Sequence, residues 1–358
     1  MIAARQIAFG KAAGKKEEPP AYWWLCFTAE EAGSTVAMQA VGSAPSVGSA
    51  PSVTLETSFD GEIWEPFTVG ETTITLPNVG DKVYFRAGEG GNSTMASTPR
   101  SYNKFSIITG RISASGNIMS LLNRDVPDSI MPRYCYSYMF NGCTSLAQAP
   151  ELPATTLATG CYSNMFKGCT SLAQAPELPA TTLAINCYSN MFDGCTSLAQ
   201  APELPATTLA TRCYNYMFKG CTSLAQAPEL PATTLADYCY STMFYSCSSL
   251  AQAPELPATT LAINCYSTMF KGCTSLAQAP ELPATTLADY CYSNMFNGCR
   301  NIDRIECSFD AFSPATNNWL NGVSSTGTFI CPTALGTNRT IQRGASYCPE
   351  GWTVINKD

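Results

Sequence analysis

Hydrophobic and polar positions follow two different patterns along this 358-residue chain. Between about residues 22 and 110, short apolar runs such as STVAMQAV and TTITL alternate with polar positions at a period of two. Turn residues such as Asp60-Gly61 separate these runs. The pattern is typical of β-strands, and it predicts a small all-β, sandwich-like domain over residues 21–110.

A 26-residue unit, CYSNMFKGCTSLAQAPELPATTLAIN, replaces this alternation further along the chain. It occurs in six full copies over residues 135–290, and a degenerate seventh copy follows over residues 291–310. Its first cysteine falls at Cys135, Cys161, Cys187, Cys213, Cys239, Cys265 and Cys291, and its second at Cys143, Cys169, Cys195, Cys221, Cys247, Cys273 and Cys299. A single unit cannot bury its own apolar face, so the copies must stack.

The first part of each unit has apolar residues at helical spacing. In the second copy these residues are Leu157, Cys161, Tyr162, Met165, Phe166 and Cys169. Thr155 or Thr156 is placed to cap the start of a helix, and Gly168 is the residue expected just past its end. The spacing therefore predicts an amphipathic helix of about three turns.

The second part of each unit, TSLAQAPELP, predicts a short strand with Leu146, Ala149 and Leu152 facing inward. Pro150 removes one backbone donor, which limits the strand to about three residues. One strand and one helix per unit predict an α/β solenoid, a leucine-rich-repeat horseshoe with short parallel strands and convex helices, over residues 111–310. Residues 111–134 are expected to form its opening cap and residues 311–358 its C-terminal cap.

The pattern CYxxMFxGCTSLxxAPELPATTLA resembles the BspA-like leucine-rich repeats of surface and secreted proteins from gut and oral bacteria, their phages and prophages. The resemblance covers about residues 116–310, although the usual unit is a few residues shorter and has a Val/Ile-rich strand. It implies a protein of the virion or bacterial cell surface that binds through its concave face. The segment MIAARQIAFGKAA resembles the leader of several phage- or prophage-encoded surface proteins, and residues 1–20 are interpreted as an N-terminal arm or anchor. A standard secretory signal is not visible, because Arg5 and Gln6 interrupt the apolar stretch.

Cysteines eight positions apart on one helix would lie about 12 Å apart along its axis, too far for a disulfide. We therefore expect two ladders of buried, reduced thiols. A zinc site is disfavoured because the chain has no histidine and the cysteine spacing is not that of a zinc motif. The sequence leaves open whether Cys331 and Cys348 form a disulfide. It also leaves open the redox state of Cys26 and Cys307.

Comparison of the copies gives two candidate binding surfaces. The first is a constant concave ladder formed by Gln148, Glu151, Gln174, Glu177, Gln200, Glu203, Gln226, Glu229, Gln252, Glu255, Gln278 and Glu281. The second is a variable convex stripe that includes Asn164, Lys167, Asp193, Tyr216, Lys219 and Tyr245. Drift after recent duplication is a third explanation of the difference. We favour the concave ladder, and we interpret its glutamates as a solvated acidic stripe rather than a calcium site.

Composition and motifs argue against several functions. The formal charge of −7 and the scattered Lys and Arg residues are unlike a nucleic-acid binder, and no apolar run is long enough to span a membrane. Without histidine or a phosphate-binding loop, we predict no enzymatic activity, no cofactor and no metal. The sequence favours an adhesion or receptor-binding protein for a cell-surface protein or glycan. A spacer in a virion appendage, or a β-domain lectin using Trp23, Trp24 and Trp64, remains an alternative.

Overall fold

A computed structural model describes residues 23–42, 49–124 and 131–357. The predicted N-terminal arm, residues 1–20, lies outside the described residues. The strands are β1 (Leu25–Ala29), β2 (Ser34–Val41), β3 (Leu55–Ser58), β4 (Glu65–Phe67), β5 (Thr73–Leu76), β6 (Lys82–Ala87), β7 (Ala96–Thr98), β8 (Ser101–Thr109), β9 (Ile112–Ser115), β10 (Leu146–Gln148), β11 (Arg304–Glu306), β12 (Thr328–Cys331) and β13 (Thr353–Asn356). Short 3₁₀ helices span Ile118–Leu121, Pro314–Thr316 and Thr333–Leu335.

Strands β1 to β9, joined by β10 of the first repeat, form two packed sheets, and we call the part before residue 116 the β-domain. One sheet has the order β10-β9-β1-β6-β3-β4 and the other the order β5-β2-β8-β7. Alternate apolar side chains of each strand point between the sheets, where the rings of Phe27, Phe85 and Phe105 meet edge to face at centroid distances of 4.8 to 5.5 Å. The aromatic contacts across the gap hold the two sheets together.

The β-domain continues directly into the repeats. Strand β10 belongs to the first repeat, yet it pairs in parallel with β9 through Leu146 and Ile112. The Phe105 amide donates a hydrogen bond of 2.8 Å to the Met139 carbonyl, and the Phe105 ring stacks on Phe140 at 5.5 Å. The β-domain therefore covers the open core of the first repeat, as a terminal unit of a repeat stack must.

The predicted helix of each repeat is wrong. The described residues contain 3₁₀ segments but no α-helix, so the horseshoe with convex helices is wrong as well. In the second repeat, Cys161, Met165 and Cys169 donate their amides to carbonyls three residues earlier, as in β-turns. The amides between them, at Tyr162, Asn164, Phe166 and Gly168, donate instead to carbonyls of the next repeat at 2.8 to 3.0 Å. This segment is a chain of turns bonded to an identical chain in the next repeat.

The backbone angles explain why turns replace the helix. Every fourth residue of the segment has a positive φ: 65° at Gly160, 58° at Asn164 and 75° at Gly168. A single positive φ at the third residue of a turn is the signature of type II geometry, which favours Gly and Asn. A right-handed helix contains no residue with a positive φ. In addition, an isolated helix of three turns is only marginally stable in water. The apolar pairs recur at a period of four, close enough to 3.6 to imitate a helix over nine residues.

The predicted strand of about three residues is present in the first repeat, and strand structure in the next repeats is shorter still. The first repeat contains the three-residue strand β10, whereas the next repeats pair through single bridges such as those joining Gln174 to Gln200 and Gln200 to Gln226. These bridges are parallel and in register. Since the repeats have no layer of helices, the names concave and convex no longer apply to their surfaces.

Identical side chains stack to form the core of the repeats. Seven tyrosines from Tyr136 to Tyr292 stack with centroids 5.8 to 6.0 Å apart. Seven phenylalanines from Phe140 to Phe296 stack at 5.4 to 5.7 Å. Both cysteine ladders are buried as free thiols. In the second ladder, each thiol donates to a phenylalanine carbonyl of the preceding layer, as Cys169 does to Phe140 at 3.1 Å.

The C-terminal segment extends the stack beyond the seventh copy. Residues 315–322 repeat the turn geometry, with positive φ at Asn318 and Gly322, although their sequence is ATNNWLNG. Trp319 is fully buried and stacks over Tyr292 at 6.3 Å. Strands β11, β12 and β13 form a parallel sheet below it. At the outer strand, the side chain of Asn338 accepts from the Val354 amide and donates to its carbonyl, so it protects the edge of the sheet.

Candidate binding surfaces of the repeats

The glutamines and glutamates of the predicted ladder are all exposed. We call this the Gln–Glu surface; it comprises Gln148, Glu151, Gln174, Glu177, Gln200, Glu203, Gln226, Glu229, Gln252, Glu255, Gln278 and Glu281. The glutamines lie directly above one another, because Gln174, Gln200, Gln226, Gln252 and Gln278 form successive parallel bridges. Strand pairing spaces successive rungs by about 4.8 Å. The surface therefore offers the same pair of polar side chains at regular intervals along the stack.

The Gln–Glu surface is strongly acidic. It carries one glutamate per repeat, and the repeated segment from Thr144 to Ala158 contains no Lys or Arg in any copy. Like charges in register repel one another, although exposure and salt weaken the effect. In the described residues, no group of three or more Cys, Asp or Glu side chains is arranged to hold a metal ion. The interpretation of this surface as a solvated acidic stripe stays a prediction.

The variable stripe lies on the chain of turns. We call it the turn surface and define it by the repeat positions of Thr159, Gly160, Asn164 and Lys167. Of the predicted residues, Tyr216 is exposed, and Lys167, Lys219 and Tyr245 are half-buried. Asn164 and Asp193 are buried instead. The stripe is thus only partly available to a partner.

Charged side chains on the turn surface contact one another between repeats. Asp193 accepts from the Lys167 ammonium at 2.9 Å on one side and lies 3.8 Å from the Lys219 ammonium on the other. Lys219 also lies 5.6 Å from the centre of the Tyr216 ring. These contacts join the second, third and fourth repeats through side chains as well as through the backbone.

Residues of the turn surface beyond the six named above also contact one another between repeats. The Arg212 guanidinium lies 4.6 Å from the centre of the Tyr238 ring, and Lys271 lies 6.0 Å from that of Tyr245. Arg212 and Tyr238 occupy the positive-φ position of Gly160 in later copies. The recurrence of Gly and Asn at four-residue intervals was the signal that could have located this position.

Trp24 and Trp64 of the β-domain pack against each other and against Arg86. Trp24 is buried and meets Trp64 edge to face at 4.8 Å. The Arg86 guanidinium lies 3.8 Å from the centre of the Trp64 ring and donates to Glu56 at 2.8 Å. Since Arg86 occupies one face of Trp64, that face is not open for a sugar to stack on.

The ladder cysteines are buried, and burial makes them poor nucleophiles. Burial raises the pKa of Cys187 and Cys247 to about 12 and that of Cys169 well above its usual value. These thiols are protonated at neutral pH, and a protonated, buried thiol is a poor nucleophile and a poor metal ligand. The ladders contribute to packing.

The family comparison matches the repeats. The model of the BspA type leucine rich repeat region, in six copies, matches residues 118–243 and 234–345, which together are more than half of the chain. Searches of curated proteins and of solved structures found no match. None of the helices in the described part of the chain is long and apolar enough to cross a membrane.

Proposed function

The chain belongs to the BspA-type leucine-rich repeat family, and from this we propose that it is a non-enzymatic binding or adhesion protein. Its repeats would present a multivalent surface to a cell-surface protein or glycan. We place it on a bacterial cell surface or a virion, where it would act as an adhesin or a phage receptor-binding protein. Members of this family are typically surface-associated repeat proteins.

The regularity of the Gln–Glu surface carries this proposal. Twelve exposed side chains of two types recur in register, and none of them is needed to fill the core. A partner that contacts one rung weakly can contact several rungs at once, and linked contacts raise the overall affinity far above that of one. Carboxylates and amides at these positions suit a partner rich in hydroxyl, amide or cationic groups.

Several features support a binding role over catalysis. The chain has no histidine, so a histidine-based nucleophile or proton shuttle cannot be assembled. The carboxylates of the Gln–Glu surface form a row on an open face instead of a pair converging in a cleft. The fourteen ladder cysteines are buried in the core.

The test compares binding of the full chain and two variants to intact gut-bacterial cells. The first variant changes all twelve residues of the Gln–Glu surface to alanine, which removes the repeated contacts but leaves the core unchanged. We expect loss of saturable binding, measured by flow cytometry with fluorescently labelled protein. Circular dichroism of both proteins controls for folding. Equal binding by the first variant would exclude the Gln–Glu surface, and absence of binding by the full chain would contradict the adhesion function.

The second variant lacks residues 187–238, which are two complete repeats. The deletion preserves the stacking register because the third and fifth copies are equivalent. A multivalent binder should lose affinity when rungs are removed. Unchanged binding would favour the alternative role of the repeats as a spacer in a virion appendage.

A further inference from the structure

Positive and negative charges of the repeats lie on different surfaces. Between residues 135 and 299, every lysine and arginine belongs to the turn surface: Lys167, Arg212, Lys219 and Lys271. Every glutamate in the same range belongs to the Gln–Glu surface. The turn surface also contains three aspartates, but Asp193 is paired with two lysines and Asp237 accepts from the Ile263 amide. The third, Asp289, is exposed, so the turn surface carries a net charge of +1, whereas the Gln–Glu surface carries −6.

The lysines of the turn surface are regularly spaced. Lys167, Lys219 and Lys271 occupy the same repeat position in the second, fourth and sixth copies. They are two rungs apart, and at the spacing of parallel strands this is roughly 10 Å. That distance is comparable to the length of two sugar units in a linear polysaccharide.

Tyrosine rings accompany the cations. Lys219 lies beside Tyr216, Lys271 beside Tyr245, and Arg212 over Tyr238. Tyr216 is exposed, and Tyr238 and Tyr245 are half-buried. Tyrosine supplies a large, rigid contact area at low entropic cost, and both tyrosine and arginine are enriched in recognition surfaces.

The backbone indicates that these side chains are not there for stability. Tyr216 and Tyr238 have φ values of 59° and 57°, in the left-handed region that favours glycine and asparagine. The second and third copies have Asn164 and Asn190 at the position of Tyr216. Backbone preference alone would favour asparagine in every copy, so it explains neither the tyrosines nor Thr242 and Thr268, which share the position of Tyr216. Strained residues of this kind recur at functional sites.

We infer that the turn surface binds an anionic polysaccharide whose sugars carry carboxylates. The inference rests on the binding function proposed above and names a ligand class for a second surface. Carboxylates would pair with the lysines at every second rung, and sugar rings would pack against the neighbouring tyrosines. The acidic Gln–Glu surface repels the same polymer, so the polymer lies along one surface of the stack only.

Asp193 limits the strength of this site. It is 8% exposed and competes with any bound carboxylate for Lys167 and Lys219, at 2.9 and 3.8 Å. Replacing it with asparagine keeps the shape and frees both ammonium groups. The substitution Asp193→Asn should therefore increase affinity for an anionic polymer.

The experiment measures binding of the full chain to polygalacturonate by isothermal titration calorimetry, with neutral dextran as a control ligand. The triple variant Lys167→Gln, Lys219→Gln and Lys271→Gln should lose about tenfold in affinity, as expected for three exposed ionic contacts. Asp193→Asn should gain about threefold. A matched triple variant, Lys82→Gln, Arg100→Gln and Arg339→Gln, changes the net charge equally at exposed positions elsewhere. It should bind as the unchanged chain does.

Equal losses in the two triple variants would overturn the inference, because they would trace binding to net charge alone. Failure to bind polygalacturonate, or equal binding of dextran, would also overturn it. If the full chain still bound intact cells in these cases, the adhesion function would stand without this ligand. Loss of cell binding after protease treatment of the cells, but not after periodate oxidation of their glycans, would identify a protein partner instead.

Discussion

The β-domain and the repeats bury the same kinds of side chain, but they satisfy their backbone amides in different ways. In the β-domain, strands far apart in sequence pair with one another, as Met38 does with Phe105. In the turn segments, amides bond alternately within a segment and to the equivalent segment 26 residues later. Each repeat therefore depends on its two neighbours, whereas each strand of the β-domain depends on a particular distant partner.

This difference affects the cores as well. In-register stacking places each side chain on a copy of itself, which produces the tyrosine, phenylalanine and cysteine ladders. The free-energy contribution of one buried thiol or one stacked ring then recurs in every repeat. The β-domain contains a mixed core and a single cysteine, Cys26. The two regions should respond differently to conditions that act on thiols or on stacked rings.

The largest expected difference is at alkaline pH. Burial raises the pKa of Cys143, Cys187 and Cys247 to about 12, and other ladder thiols shift in the same direction. Above the unfolded thiol pKa of about 8.5, the unfolded chain binds fewer protons than the native chain, so the free energy of unfolding falls as pH rises. One pH unit above this value, each buried thiol contributes about 1.4 kcal/mol to the loss. We expect the repeats to unfold between about pH 9 and 10.

Hydrogen exchange followed by mass spectrometry, in reducing buffer from pH 7 to 10.5, measures this response. The rates need correction for the intrinsic pH dependence of exchange. Peptides from the repeats should lose protection before peptides from β1 to β8, which provide the internal control. Protection of the repeats that persists to pH 10.5 would contradict the thiol ladders described above.

A cavity in the phenylalanine ladder should lower the free energy of unfolding by less than alkaline pH does. It should still lower it by more than a cavity next to an edge strand. Phe192 is fully buried between Phe166 and Phe218, and Phe192→Ala should lower the free energy of unfolding by about 3 to 5 kcal/mol. Phe67→Ala, on the edge strand β4, removes a ring that contacts Phe85 edge to face and should cost less. Urea unfolding monitored by circular dichroism measures both. A larger effect of Phe67→Ala would refute the view that stacking dominates the core.

The smallest expected effect is that of a glycine substitution at a positive-φ position, and it distinguishes turns from a helix most directly. Thr268 has a φ of 62°, and left-handed backbone costs an L-residue roughly 1 to 2 kcal/mol. Thr268→Gly should therefore stabilise the chain by up to about 1 kcal/mol. In a helix, the same change would destabilise by a few tenths of a kcal/mol to about 1 kcal/mol. The sign of the shift in the urea midpoint decides between the two, with Thr260→Gly at an exposed site outside the turns as the matched control.

The strands of the β-domain could be predicted because their pattern is local. The run STVAMQAV coincides with β2, from Ser34 to Val41, and the segment NKFSIITG lies largely within β8. The prediction failed in the repeats because apolar pairs four residues apart fit a helix and a chain of turns equally well over nine positions. Asn164 and Gly168 carried the information that separates the two, since both favour a positive φ.

The sequence by itself determined the 26-residue period, the burial of the cysteines and the exposure of the glutamines and glutamates, because these follow from which side chains recur and which are apolar. Only the tertiary structure decided the form of the backbone. An isolated repeat has no partner for half of its turn amides, and stacking supplies the carbonyls that accept them. The position of each charge also follows from that stacking, which places the glutamates on the Gln–Glu surface and the lysines and Arg212 on the turn surface.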